Sequence, residues 1–203
     1  MLKTPGRTAI AFGVVLVTLA FALRLAAGLR YGGESVWDGH YYEYYAGRIA
    51  GGFGYSDKLL RGDVDVGHPS CHYPVGYSAF LSVFYIVFGR SLLVARLFDS
   101  LVGAALAGVT WRLSRYAISE SRAKIAGLLV ALHPGLVLYG ALTMSEPLSS
   151  LLTLASFWLR VRTADRGRAL VYSALVLGVA ALVRPPVLLC APFLVLPNDD
   201  GSS

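Results

Sequence analysis

The sequence predicts an all-α protein, a polytopic bundle of membrane helices. Three observations carry that reading. Hydrophobic residues make up 56% of the 203-residue chain, and the mean hydropathy is +0.60. That is more apolar surface than a soluble core absorbs. Charged residues account for only 15%, against roughly a quarter in soluble domains. The apolar runs are separated by short basic clusters, the pattern of membrane topology. The net charge of +6 therefore does not point to nucleic acid, whose partners carry their bases on one phosphate-tracking face.

Residues 1–203 read as a single membrane domain with five spans, at about 8–29, 91–111, 125–145, 147–163 and 169–197. Lys3 and Arg7 ahead of the first run resemble the start of a signal peptide. The run is long enough to cross, and Arg24 interrupts it before the small residues near its end, so it reads as an uncleaved helix. A sixth apolar run, 75–88, is short enough to be interfacial or re-entrant. Charge decides its fate. If it does not cross, Lys3, Arg7, Arg112, Arg115, Arg122, Lys124, Arg160, Arg162, Arg166 and Arg168 all fall on one side, the cytoplasmic one. The expected location is thus the cell (inner) membrane, with the N-terminus cytoplasmic and the C-terminus outside. The outer side then holds a long loop, 30–90, and a tight turn at Met144–Ser145–Glu146–Pro147. Pro147 suits the first turn of the fourth helix, and Glu146 its positive N-terminal end.

The densest polar-aromatic cluster runs from Trp37 through Asp38, Gly39, His40, Tyr41, Tyr42 and Glu43 to Tyr45. Its rings, Trp37, Tyr41 and Tyr42 among them, suit either an interfacial aromatic belt or stacking on a sugar whose hydroxyls carboxylates bind. Asp38 and Glu43, five apart, fall on different faces of a helix and need not act together. A second cluster holds His68, Cys71, His72 and Tyr73. Two histidines four apart can suggest a metal, but Pro69 breaks a helix between them and spacing supplies no third ligand. The favoured reading is a turn that lays 75–88 on the membrane, with no metal site assigned. Cys71 and Cys190 have no metal-type spacing. Charges inside spans are costly. Arg96 and Asp99, three apart, can pair on one helix face, leaving Arg96 either structural or ligand-binding. Arg24 is expected to pair with an acid or to snorkel. Arg184 precedes Pro185–Pro186, and a broken helix beside an arginine suits a lipid phosphate as well as a helix end. His133–Pro134 reads as a kink.

Taken in order, these residues resemble the GT-C membrane glycosyltransferases, in particular the bacterial branch related to protein O-mannosyltransferases and lipid A sugar transferases. The resemblance rests on Asp38–Gly39–His40–Tyr41–Tyr42, the Gly-rich stretch from Ala46 to Tyr55, Tyr73–Pro74–Val75–Gly76–Tyr77, Ala95–Arg96–Leu97, the pair His133–Pro134 and Ser145–Glu146–Pro147, and Val183–Arg184–Pro185. It covers nearly the whole chain.

The resemblance implies transfer of a sugar from a polyprenyl-phosphate carrier to an acceptor on the outer face. It implies that Asp38 is the general base and that Glu146 orients the acceptor or a divalent metal. His72 and Tyr73 lie where relatives bind the carrier phosphate, with Arg96 and Arg184 as further phosphate candidates. The lysine some relatives carry at the juxtamembrane turn is missing here. Relatives are much longer, so the expectation is a truncated or split enzyme, with a second polypeptide to complete the fold. The alternative is a non-catalytic membrane module or lipid-binding subunit. A small transporter is disfavoured, because no inverted repeat is visible and the acids lie in loops.

Overall fold

The computed structural model describes residues 6–31 and 33–195. Lys3, Pro197 at the end of the fifth apolar run, and the polar tail 198–203 lie outside them. The described chain is almost wholly helical. Its helices are α1 (Arg7–Tyr31), α2 (Asp38–Ala50), α3 (Gly76–Phe88), α4 (Leu92–Ser114), α5 (Glu120–Leu132), α6 (Pro134–Ala141), α7 (Glu146–Arg162), α8 (Arg166–Val183) and α9 (Ala191–Val195). Between α2 and α3, β1 (Ser56–Asp57) pairs antiparallel with β4 (His68–Pro69), and β2 (Leu60–Arg61) pairs with β3 (Val64–Asp65) inside it. This small nested hairpin was not anticipated from the sequence.

The helix boundaries follow local chemistry. Ser91 Oγ accepts the Val94 amide at 3.2 Å and Asp165 Oδ1 accepts that of Arg168 at 2.9 Å, supplying the partners that first-turn amides lack. Pro134 and Pro147 stand in first turns, where a missing N–H costs nothing. α8 stops at Val183 because Pro185 forces the preceding residue out of helical geometry. Arg184 is accordingly extended (φ −147°, ψ 107°), and a 3₁₀ turn, Pro185–Cys190, follows.

Three helices, α1, α4 and α8, are long and apolar enough to cross a membrane. The pair α5–α6 makes a fourth if its 43° bend is taken within one span. Shorter apolar helices, among them α3 (Gly76–Phe88), stand beside them among the described residues. α7 has 17 residues, about 26 Å of helix, at the lower end of the roughly 17–25 residues that span a bilayer. The fifth run breaks after Val183 and continues as the 3₁₀ turn Pro185–Cys190 and α9.

α1 and α4 run antiparallel: Gly13 meets Trp111 at one end of the pair and Gly28 meets Arg96 at the other. Their core holds Leu16, Ala20, Ala107 and Trp111. A second core of Tyr42, Tyr77, Leu81, Phe98, Leu148 and Val183 binds α2 and α3 to α4, α7 and α8. Arg24, buried in α1, has no acidic partner among the described residues and does not snorkel. Its Nη1 donates to the Ala20 and Ala131 carbonyls at 3.1 Å each, and its Nη2 to that of Val130 at 2.9 Å. Pro134 has no N–H to offer Val130, so the break between α5 and α6 leaves carbonyls exposed in an apolar layer. A cation from a neighbouring helix satisfies them. Gly103 admits it: a Cβ there would stand 2.1 Å from Arg24 Nε.

Candidate functional site

Asp38 opens α2, in its first turn, where a negative charge is favoured by the helix dipole. It is therefore part of a regular helix and not of an irregular loop. Asp38, Tyr41, Tyr42 and Tyr45 follow i, i+3, i+4, i+7 spacing and share one face. Glu43 lies on another, where Ser35 Oγ donates to its Oε2 at 2.5 Å. Two close approaches bring the Asp38 face to the other predicted residues. A Cβ on Gly39 would be 2.4 Å from the Leu142 carbonyl oxygen, so only glycine lets the start of α2 press on the turn before α7. A Cβ on Gly76 would be 2.5 Å from the Leu182 carbonyl, which seats α3 and the preceding His72–Tyr73 turn against the end of α8.

The result is one cluster at one end of the bundle. Tyr73 donates to Asp38 Oδ1 at 2.9 Å, and that bond, more than burial, pushes the Tyr73 phenol up to about 12. Tyr73 thus remains a donor across the physiological range. The Tyr41 ring lies 5.1 Å from His72 and 5.2 Å from Tyr73. Tyr42 is buried, with Tyr73 and Tyr77 rings at 5.4 and 4.9 Å, and its hydroxyl is 3.1 Å from Ser145 Oγ. Burial pushes its phenol up, and the charges of Asp38, Arg184 and Glu146 all act on it. Tyr42 therefore stands between the Asp38–Tyr73 pair and the start of α7. There Arg184 Nη1 and Glu146 Oε1 form an ion pair at 2.5 Å, while Glu146 Oε2 is enclosed without a partner.

Two predicted residues sit elsewhere. Trp37 is 72% exposed, at the α2 N-cap with φ 50°, free to meet something outside the fold. Arg96 is buried and does not ion-pair with Asp99 among the described residues. It donates to Thr143 Oγ1 at 2.7 Å and to the Gly33 carbonyl at 2.9 Å, while Asp99 accepts from Tyr77. Thr143 has φ 59°, a strained geometry for a β-branched residue, and it immediately precedes Met144–Ser145–Glu146. Arg96 thus ties the segment entering α2 to the turn entering α7.

Sequence reasoning missed three contributors. Ser145 was seen only as a helix start. The Glu146–Arg184 pair was legible only as two opposite charges at the same end of neighbouring helices. Arg48 holds the hairpin behind the site. It pairs with Asp65, and it donates to the Ser56 carbonyl at 3.1 Å, to Ser56 Oγ at 3.0 Å and to the Asp57 carbonyl at 3.2 Å. That pairing holds the Asp65 carboxyl at about 2. Tyr45 completes the brace, its hydroxyl 2.7 Å from Ser70 Oγ and donating to Asp57 Oδ1 at 3.0 Å. Among the described residues no three His, Cys, Asp or Glu side chains are grouped as a metal site. His68 lies on β4 opposite Asp57, while the His72 ring packs against Tyr41 and Tyr73.

No curated protein and no solved structure matches the chain. A family model described as dolichyl-phosphate-mannose-protein mannosyltransferase matches residues 72–198, a stretch that contains His72, Tyr73, Arg96, Glu146 and Arg184 and begins after Asp38. With more than half of the chain matched, and a helical membrane bundle behind the match, the chain belongs to the dolichyl-phosphate-mannose-protein mannosyltransferase family, of GT-C type.

Proposed function

We propose that the chain transfers a sugar from a polyprenyl-phosphate carrier to an acceptor hydroxyl on the non-cytoplasmic face of the inner membrane, with Asp38 as general base. The observation that carries this reading is the convergence of a carboxylate and a cation around Tyr42. Its ring packs on Tyr73, which holds Asp38, and its hydroxyl meets Ser145, next to the Glu146 that holds Arg184. Group transfer from a phosphate needs those two charges, one to take a proton and one to stabilise the leaving group.

In this mechanism Tyr73 fixes Asp38 through Oδ1, leaving Oδ2 to take the acceptor proton. The acceptor oxygen attacks the anomeric carbon, and the bond from that carbon to the phosphate oxygen breaks. A single in-line displacement inverts the centre, and the carrier departs as polyprenyl phosphate. Arg184 has Nη2 and Nε beyond the Glu146 contact to meet that phosphate, and an arginine fork suits phosphate geometry. His72 borders the same space. Exposed Trp37 and half-exposed Tyr41 stack on the sugar, while buried Tyr42 supports them from below. Arg96 is a positioning residue, acting through Thr143 and Gly33.

The test uses membranes carrying the full chain and a radiolabelled polyprenyl-phosphate mannose donor. Asp38→Asn keeps the shape and removes the basicity. Transfer falls by about 10²–10⁴-fold with membrane accumulation unchanged, whereas Glu43→Gln on the other helix face retains it. Near-full transfer by Asp38→Asn, with loss in Glu43→Gln, assigns the base elsewhere. Absence of transfer in every background supports a non-catalytic module instead.

A further inference from the structure

The polar site occupies one end of the bundle. α7 starts there at Glu146 and ends at Arg162, about 25 Å away at 1.5 Å per residue. At that far end α1, α4 and α7 leave a groove of about 520 Å³, lined by Val14, Val17, Gly108, Trp111, Arg112 and Trp158. Its volume falls among those of small-ligand sites, roughly 300–1,000 Å³. Gly13 and Gly108 keep its floor low: a Cβ on Gly13 would be 2.6 Å from the Trp111 ring, and one on Gly108 would be 3.1 Å from Val17. The walls are mostly apolar, with Thr18 and Arg112 as the polar side chains besides the two indoles.

The charge at the mouth is one-sided. Arg112 is exposed, with no acidic partner among the described residues. The Arg162 guanidinium stands 4.7 Å from the centre of the Trp158 ring, again without an acid. Lys124 lies 5.3 Å over Phe12. Among the described residues, Arg115 pairs with Glu120 at 2.6 Å and Arg168 lies 3.8 Å from Asp165, so Arg112 and Arg162 carry the charge beside the groove. Tryptophans beside cations at the end of apolar helices mark the headgroup level of a bilayer. The flank of α1 that borders the groove is apolar and exposed at Ile10 and Val14.

We propose that this groove is a binding site for an anionic phospholipid of the leaflet opposite the transfer site. One acyl chain lies along Val14, Val17 and Gly108, and the headgroup phosphate meets Arg112 and Arg162. One guanidinium on the groove lining, Arg112, and a second, Arg162, stacked on its Trp158 wall favour an anionic headgroup. A transmembrane helix seated in the groove would bury Arg112 without a counter-charge, which is costly. The distance from Glu146 separates this site from the carrier phosphate.

The chain has three tryptophans, which gives the test its readout. Trp37→Phe with Trp158→Phe leaves buried Trp111, on the groove floor, as sole reporter. The full chain is reconstituted in phosphatidylcholine vesicles containing either brominated phosphatidylglycerol or the same fraction of brominated phosphatidylcholine, with bromines on the acyl chain near the ester. Phosphatidylglycerol should quench Trp111 at about fivefold lower mole fraction, the effect of roughly one arginine contact. Arg112→Gln with Arg162→Gln should abolish that preference. Val14→Phe, which fills the mouth from an exposed position, should weaken quenching by both lipids with the melting temperature unchanged. Equal quenching by the two headgroups, or a preference that survives loss of both arginines, reduces the groove to ordinary boundary lipid and overturns the proposal. Disulfide capture of a second copy through cysteines placed at Val14 and Val17, with Trp111 shielded from both lipids, overturns it in favour of a helix occupant.

Discussion

The contact between Arg24 and the broken helix α5–α6 yields a double-mutant test whose sign is fixed by the structure. Arg24→Met keeps apolar bulk and removes the donors serving Val130 and Ala131. A buried carbonyl left unsatisfied costs about 1–3 kcal/mol, so two cost roughly 2–6 kcal/mol. Removing a charge from a span returns about 2.5–3.5 kcal/mol. The single variant should therefore fall between about 1.5 kcal/mol more stable and about 3.5 kcal/mol less stable. The decisive quantity is the coupling to Pro134. Pro134→Ala restores an N–H for the Val130 carbonyl and lets the helix continue, so the arginine loses its task. In that background Arg24→Met should be neutral or stabilising, giving a coupling of about 1–3 kcal/mol, within the range for residues sharing one network. Thermal or denaturant unfolding of the four proteins in one detergent measures it. Strictly additive losses would show that Arg24 does not serve the break, and the account of the bent span would fail.

Three further outcomes are expected. Gly39→Ala places a methyl 2.4 Å from the Leu142 carbonyl oxygen, so it should cut sugar transfer at least about tenfold, as misplacement near the chemistry does. Gly33→Ala, with open space around it, should not. Asp65 has a carboxyl depressed to about 2 by Arg48, so its contribution is complete above about pH 4 and lost as pH falls toward 2. Protease protection of the hairpin should drop in that window, and Arg48→Gln should remove the protection already at pH 5. Reporter fusions at Arg122, Glu146 and Arg166 should read cytoplasmic, outside and cytoplasmic; a cytoplasmic Glu146 would mean that α3 crosses the membrane.

Much of the molecule was legible because the relevant physics is local. Apolar runs of span length need no knowledge of their neighbours to be read as membrane helices. Proline ends a helix wherever it stands, so the bend at His133–Pro134 and the stop before Pro185 are properties of a few consecutive residues. The short helix Gly76–Phe88 likewise follows from its own run of residues. The tyrosines following Asp38 share its face through helical spacing alone.

What tertiary structure decided concerns partners. Arg96 and Asp99 are close enough in sequence to bond each other, yet Arg96 reaches Thr143 and Gly33 while Asp99 takes Tyr77. Spacing along a helix states which pairs can form, not which competitors other elements deliver. Arg24 finds carbonyls more than a hundred residues away, and Glu146 finds Arg184, because burial leaves each polar group to be satisfied by whatever the fold places beside it. Gly39, Gly76 and Gly103 are small for the same reason: each is needed where another chain segment arrives within a Cβ's reach. The sequence by itself determined which segments are helices and which groups carry charge. Packing at distances set by those glycines determined which charges meet, since van der Waals contact between segments far apart in sequence leaves no periodic trace along either one.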